Sequence, residues 1–143
     1  MSEPPTLRSR RTLTLRFDIP IAKTHEFWDA LKAGRFVTTK CAKCGNLSFP
    51  PQTDCPKCMS GEHSWEDLGS EAALVTYTQV QITPASFATN EPYIIAIGEF
   101  PGGLKVLAWL EGAKREGVTP GMKLRVEARN TGEGNPFYVF VPA

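Results

Sequence analysis

The spacing of apolar positions changes character twice along the chain. Up to residue 20 no period is sustained. Pro4, Pro5 and Pro20 favour an extended arm, and only TLTLRF at 12–17 alternates, as an edge strand or a segment laid along a partner does. THEFWDALKAGRF then sets Phe27 and Leu31 four apart, with Trp28 beside them and Phe36 just beyond. This predicts a helix of two to three turns with one bulky apolar face. Thr24 is the expected N-cap, Glu26 and Asp29 suit the N-terminal end, Lys32 suits the C-terminal end and Gly34 closes it. So short a helix is not stable alone in water, so its face packs on its own domain or docks a partner.

Beyond Gly61 a period of two takes over. Strands are expected near Ala72–Ile82, Pro92–Phe100 and Gly103–Gly112, then over GMKLRVEAR at 121–129 and PFYVFVP at 136–142. Five short strands are too few for a sandwich and suit a small closed barrel of the OB type, which removes exposed edges by curling. EGAKREGVTPG at 111–121 falls where that fold often carries a helix, but it is too short and glycine-rich for a long one. The expected fold is therefore mainly β: a short N-terminal helical segment, a cysteine-bearing ribbon and a C-terminal five-stranded OB-fold barrel.

Composition excludes some classes of function. The 143 residues are 41% hydrophobic and 22% charged, with a formal net charge of +1, which argues against a disordered chain and against a broadly supercharged nucleic-acid binder. The near-neutral total conceals three parts. Residues 1–40 carry 8 Lys/Arg against 4 Asp/Glu, residues 41–70 carry 2 against 4, and residues 71–143 carry 6 against 7. Pattern and charge together divide the chain into a basic arm and helical lead-in at 1–36, a ribbon at 37–68 and a barrel at 69–143. No apolar leader core and no run of 18 apolar residues is seen, so a cytoplasmic protein with reduced cysteines and no membrane partner is expected.

All four cysteines lie between Cys41 and Cys58, as two CxxC pairs, Cys41/Cys44 and Cys55/Cys58, separated by ten residues. Each short turn points two sulfurs at one centre, so the pairs can hold one tetrahedral Zn²⁺. Four thiolates of this kind can also hold iron, whereas a redox dithiol needs only one pair. Four cysteine ligands leave no open position, which makes such a metal structural. Neither His25 nor His63 lies in an HExxH motif or beside a serine elbow, and there is no P-loop and no dinucleotide fingerprint. No catalytic residue is assigned, and catalysis by this chain alone is not expected.

HEFWDALKAGRF, the CAKCGNLSFPPQTDCPKC segment and the trailing strands together resemble the acyl-CoA-associated zinc-ribbon and OB-fold family, domain of unknown function 35, over about residues 20–130. The resemblance implies a rubredoxin-like zinc ribbon and a non-catalytic scaffold subunit. Its partner would be a thiolase-like, hydroxymethylglutaryl-CoA-synthase-like or lipid-transfer-protein-like enzyme, in a hetero-oligomer that helps enclose CoA or acyl intermediates. Carried onto this chain, Cys41, Cys44, Cys55 and Cys58 are the metal ligands, Pro50 and Pro51 the rigid step inside the ribbon, and Met59 stands where a small turn residue is common. Phe27, Trp28, Leu31, Arg35 and Phe36 match the family helix and its exit and are candidate partner contacts.

The basic excess suggests Arg8, Arg10, Arg11, Arg35 and Lys40 as contacts for CoA phosphates, against the alternative of a solvated arm. A different class of function is a single-stranded nucleic-acid module, with Tyr77, Phe87, Tyr93, Trp109, Phe137 and Tyr138 as stacking platforms. The same aromatics can instead fill a barrel core, and the barrel segment lacks a basic excess. A third possibility is a zinc protein whose partner has no part in acyl chemistry.

Overall fold

The computed structural model describes residues 18–82 and 92–143. TLTLRF, Arg8, Arg10, Arg11 and Phe87 lie outside them. Helix α1 spans His25–Lys32 and buries Phe27, Ala30 and Leu31. Thr24 precedes it, but its side chain makes no capping bond. The entry is instead a backbone turn, Thr24 N–H to the Ile21 carbonyl at 2.9 Å, with His25 Nδ1 2.9 Å from the Ala22 carbonyl oxygen. At the exit Gly34 takes φ +75°, and Arg35 N–H reaches the Ala30 carbonyl at 2.9 Å. Glycine adopts that left-handed conformation without the Cβ clash other residues meet.

The chain then forms a three-stranded antiparallel sheet that the sequence pattern did not delineate: β1 (Val37–Cys41), β2 (Leu47–Ser48) and β3 (His63–Asp67), in the order β2-β1-β3. β1 is central and almost wholly buried, including Thr38 and Thr39. Two buried hydroxyls need partners, and both find backbone. Thr38 Oγ1 donates to the Ser48 carbonyl, and Thr39 Oγ1 accepts from Gln52 N–H at 2.9 Å. These bonds tie the loop carrying Pro50 and Pro51, with its cis Phe49–Pro50 bond, to the central strand.

The remaining strands are β4 (Glu71–Val80), β5 (Tyr93–Glu99), β6 (Lys105–Leu110), β7 (Lys123–Asn130) and β8 (Pro136–Pro142). They close into a barrel of order β4-β5-β6-β8-β7, the five-stranded OB arrangement expected from the alternation. All pairings are antiparallel except β6 with β8. A register shift between Leu74 and Thr76 lets β4 pair with β7 at one end and β5 along the rest. Between β6 and β7 the expected helix reduces to one 3₁₀ turn at Arg115–Gly117.

Alternate residues point inward: Ile94 and Ala96 from β5, Val106, Ala108 and Leu110 from β6, Leu124 and Val126 from β7, Phe140 from β8. Gly98 shares the inward face of β5. A Cβ there would stand 2.6 Å from Cζ of the fully buried Phe140, so the ring lies directly against the backbone. Phe27, Ala30, Leu31, Phe36 and Val37 belong to the same buried cluster as the barrel interior. Helix, ribbon and barrel thus meet in one core. The joint is aromatic: Phe36 lies 5.3 Å from Phe49, 5.4 Å from Phe100 and 5.2 Å from Tyr138, and Phe27 flanks it at 5.9 Å. Ring pairs at such separations stabilise beyond area burial alone.

Candidate functional site

Each CxxC pair sits on a turn with the same backbone bonding. In the first, Gly45 N–H bonds to the Cys41 carbonyl and Cys41 N–H to Asn46 O, both at 2.9 Å. In the second, Met59 N–H bonds to the Cys55 carbonyl at 2.8 Å and Cys55 N–H to Ser60 O at 2.9 Å. The residue after the second cysteine of each pair has positive φ, +70° at Gly45 and +59° at Met59. A methionine held left-handed carries a steric cost of roughly 1–2 kcal/mol that glycine does not. The departure at Met59 is therefore accommodated by strain, with the side chain out in solvent.

The turns bring all four sulfurs within 4.8 Å of one another. Cys41 Sγ lies 3.5 Å from Cys58 Sγ, and Cys44 Sγ lies 3.6 Å from Cys55 Sγ. A tetrahedron with Zn–S bonds of about 2.3 Å has sulfur–sulfur edges of about 3.8 Å, and a disulfide about 2.05 Å. The spacing is that of ligands around one ion, and the cysteines form a structural zinc-binding cluster. Cys41 and Cys55 are buried and Cys44 is exposed, so the site lies at the ribbon surface with one side closed.

Backbone donors prepare the sulfurs for a metal. N–H from Cys44, and after it from Lys43, holds the Cys41 thiol down at about 6. Burial pushes Cys55 up, but N–H from Cys58 and Lys57 more than offsets it. Ser60 N–H favours the Cys58 thiolate, yet burial and the three neighbouring sulfurs push it up to about 12. Four thiolates in this space repel one another unless a cation neutralises them, and a divalent metal does so. Neither His25 nor His63 belongs to the sulfur cluster.

The candidate partner contacts divide. Phe27, Leu31 and Phe36, candidates for a partner contact or for packing on their own domain, are at most 4% exposed and pack in the chain's own core. Of the two alternatives for this face the structure takes packing on its own domain, and these three residues are removed as partner contacts: the apolar face of so short a helix is used in joining ribbon to barrel. Trp28 is partly buried against Phe27, with ring centroids 5.0 Å apart, whereas Arg35 is exposed. Arg35 borders a groove of about 220 Å³ whose lining includes Leu31, Phe36, Asp67, Val126 and Ala128. Lys40 lies 3.4 Å from Glu66 across the ribbon sheet, which screens its charge. Of the basic candidates among the described residues, Arg35 is the one without an ion pair.

The aromatics named as stacking platforms are also dispersed. Tyr138 packs in the joint with Phe27, Phe36 and Phe49, and Tyr93 stacks on Trp109 at 4.5 Å and 17°. Of the outward charges of β7, Arg125, Glu127 and Arg129 are paired. Glu127 receives Arg125 at 2.6 Å and Arg129 at 2.7 Å, and Arg129 also reaches Glu111 at 3.3 Å. Gly98 beneath Phe140 went unmarked by sequence reasoning. Its signal was a glycine interrupting the alternation of YIIAIGEF, which often marks a close approach.

The ribbon and the barrel each match a described family domain. Residues 28–64 match the ChsH2 rubredoxin-like zinc ribbon domain, and residues 65–129 match the ChsH2 C-terminal OB-fold domain. A DUF35 domain-containing scaffold protein of Methanocaldococcus jannaschii is 31% identical over 98 residues, covering 68% of this chain and 70% of its own. The chain belongs to the DUF35 family. This DUF35 chain is also 34% identical over 74 residues to benzoylsuccinyl-CoA thiolase subunit BbsA of Thauera aromatica, covering 52% of this chain and 50% of that one. Among solved structures, the Ltp2-ChsH2(DUF35) aldolase superposes with a TM-score of 0.75 at 24% identity, covering 89% of this chain and 98% of that chain. At that identity the likeness concerns the fold: ribbon, barrel and their order along the chain.

Proposed function

We propose that this DUF35 chain is a non-catalytic scaffold subunit of a thiolase-like acyl-CoA enzyme complex. The observation that carries this is the pairing of a family whose relatives are named scaffold protein and thiolase subunit with a metal site of four sulfurs. A zinc ion held by Cys41, Cys44, Cys55 and Cys58 would stiffen the ribbon and present no open position to substrate. The partner subunit supplies nucleophile and acid–base groups, and this chain supplies rigid shape beside them. Within that role the exposed Arg35, at the mouth of its groove, is the described residue best placed to meet a CoA phosphate, with Arg8, Arg10 and Arg11 as further candidates.

The test is affinity purification of the tagged full chain from its native host, with mass spectrometry and metal analysis. A thiolase-like subunit in fixed ratio and one zinc per chain is the expected result. A zinc-loaded chain with no acyl-CoA enzyme attached overturns the proposal. Isothermal titration with acyl-CoA, to this chain and to the complex, tests the phosphate contact separately: affinity unchanged in Arg35→Glu removes it. A single-stranded nucleic-acid role finds no support on β7, where Arg125 and Arg129 are paired with Glu127, and the absence of binding to single-stranded DNA or RNA at low salt is the expected outcome.

A further inference from the structure

The barrel wall is lopsided in a way its fold does not require. On β7 the outward side chains are Lys123, Arg125, Glu127 and Arg129, a hydrated ladder. On β4, β5 and β6 the outward positions in register are different. Thr76 lies opposite Ile97, and Ile97 opposite Leu107; Thr78 lies opposite Ile95, and Ile95 opposite Trp109; Val80 lies opposite Tyr93. Val75, at the register shift, is also exposed, and Leu107 is 59% exposed. The carboxylates and cations of this face sit at one end: Glu71, opposite Arg125 of β7, and Glu99 with Lys105, which neutralise each other at 3.1 Å. Strands apolar on both faces are the pattern of sheets covered on both sides, whereas a solvated wall alternates.

We infer that the outer wall of β4-β5-β6, centred on Leu107, Ile97 and Val75, is the surface on which the thiolase-like subunit docks through an uncharged apolar patch of its own. The inference rests on the scaffold role proposed above and adds its location. Charge decides against nucleic acid and anionic lipid, because the wall offers no unpaired cation among its described residues. Area decides against a second copy. Three strands about 4.8 Å apart and about 20 Å of their length give a patch of about 300 Å². Two such patches facing each other fall well short of the roughly 1,000 Å² total that a stable interface needs. The patch suits the dry centre of a larger interface, ringed by polar contacts from a bigger partner. The core joint cannot serve, since Phe27, Leu31 and Phe36 are already buried.

The experiment uses the thiolase-like subunit identified by copurification, produced separately and titrated with the full-length zinc-loaded chain. Leu107→Asp and Val75→Asp replace exposed side chains, so zinc content and melting temperature should stay at wild-type values. Each is expected to weaken binding more than 100-fold, while Lys32→Glu, exposed on α1 and outside the barrel wall, stays within twofold. Binding of both Asp variants within twofold of wild type overturns the location and leaves the scaffold role standing. Absence of any binding by the wild type overturns the scaffold role and this inference with it. A concentration-dependent dimer of the chain alone, abolished by Leu107→Asp, assigns the wall to a second copy and also overturns it.

Discussion

Gly98→Ala sets two effects of opposite sign against each other. Gly98 does not have positive φ, so alanine fits the backbone, and by restricting the unfolded chain it would contribute about 0.4–1 kcal/mol of stability. Against this, the new methyl would lie 2.6 Å from Phe140 Cζ and 3.1 Å from both Cε atoms. Ordinary carbon contacts sit near 3.5–4.0 Å, so the ring must retreat by about 1 Å. It has nowhere to go: Phe140 is 0% exposed and Phe100 lies behind it at 6.3 Å. Overpacking of this kind costs about 1–3 kcal/mol and outweighs the entropic gain. Urea unfolding at saturating zinc should therefore show Gly98→Ala destabilised by about 1–2 kcal/mol, with a melting temperature lower by roughly 3–6 °C. Phe140→Leu alone leaves a cavity and also destabilises, but in the double variant the methyl occupies space the ring has vacated. The two changes should couple favourably by about 1 kcal/mol or more. Additive effects, or a Gly98→Ala variant as stable as wild type, would refute the close-approach reasoning.

Other consequences are equally direct. Met59→Gly relieves a left-handed methionine whose side chain lies in solvent, so the zinc-loaded protein should gain about 0.5–1 kcal/mol in urea unfolding; a loss would show that the turn is not strained. Cys55→Ser removes a buried ligand, and zinc content should fall well below one per chain with loss of near-ultraviolet signal from Trp65 on β3; full zinc retention contradicts the four-sulfur site. Zinc affinity should rise with pH. Cys58, pushed up to about 12, still holds its proton at neutral pH and must surrender it to the metal, whereas Cys41 at about 6 is already largely ionised. From about pH 6 upward, competition titrations against a chelator should show at least a tenfold gain per pH unit, and a flat profile contradicts this. Arg125→Ala, by contrast, should change stability by less than about 1 kcal/mol, because its ion pair to Glu127 lies half in solvent.

Much of this architecture was legible because it is local. Two CxxC pairs announce one tetrahedral site, since three bonds of turn geometry decide where the sulfurs point. Alternation in GMKLRVEAR and PFYVFVP announces strands because side chains on a strand must alternate. The apolar face of α1 was equally visible. Tertiary structure decided what that face meets: Phe27 and Phe36 close against Phe49 of the ribbon and Tyr138 of the barrel, which no pattern within thirteen residues can state. The ribbon strands were missed because β2 is two residues long and β1 is buried through VTTKC, with threonines satisfied by backbone groups ten and thirteen residues away along the chain.

The same division holds for the remaining features. Composition and spacing by themselves determined that the chain is mainly β, that it carries one metal site of four sulfurs, and that its basic excess lies in the first 40 residues, outside the barrel. The order β4-β5-β6-β8-β7, the seat of Phe140 on Gly98 and the apolar outer wall around Leu107 were decided only by closure of the barrel. Alternation says that two faces differ, but closure chooses which positions from five separate strands share one interior and which share one outside. That choice arises from contacts between residues far apart in the chain, where a period read along the sequence has no reach.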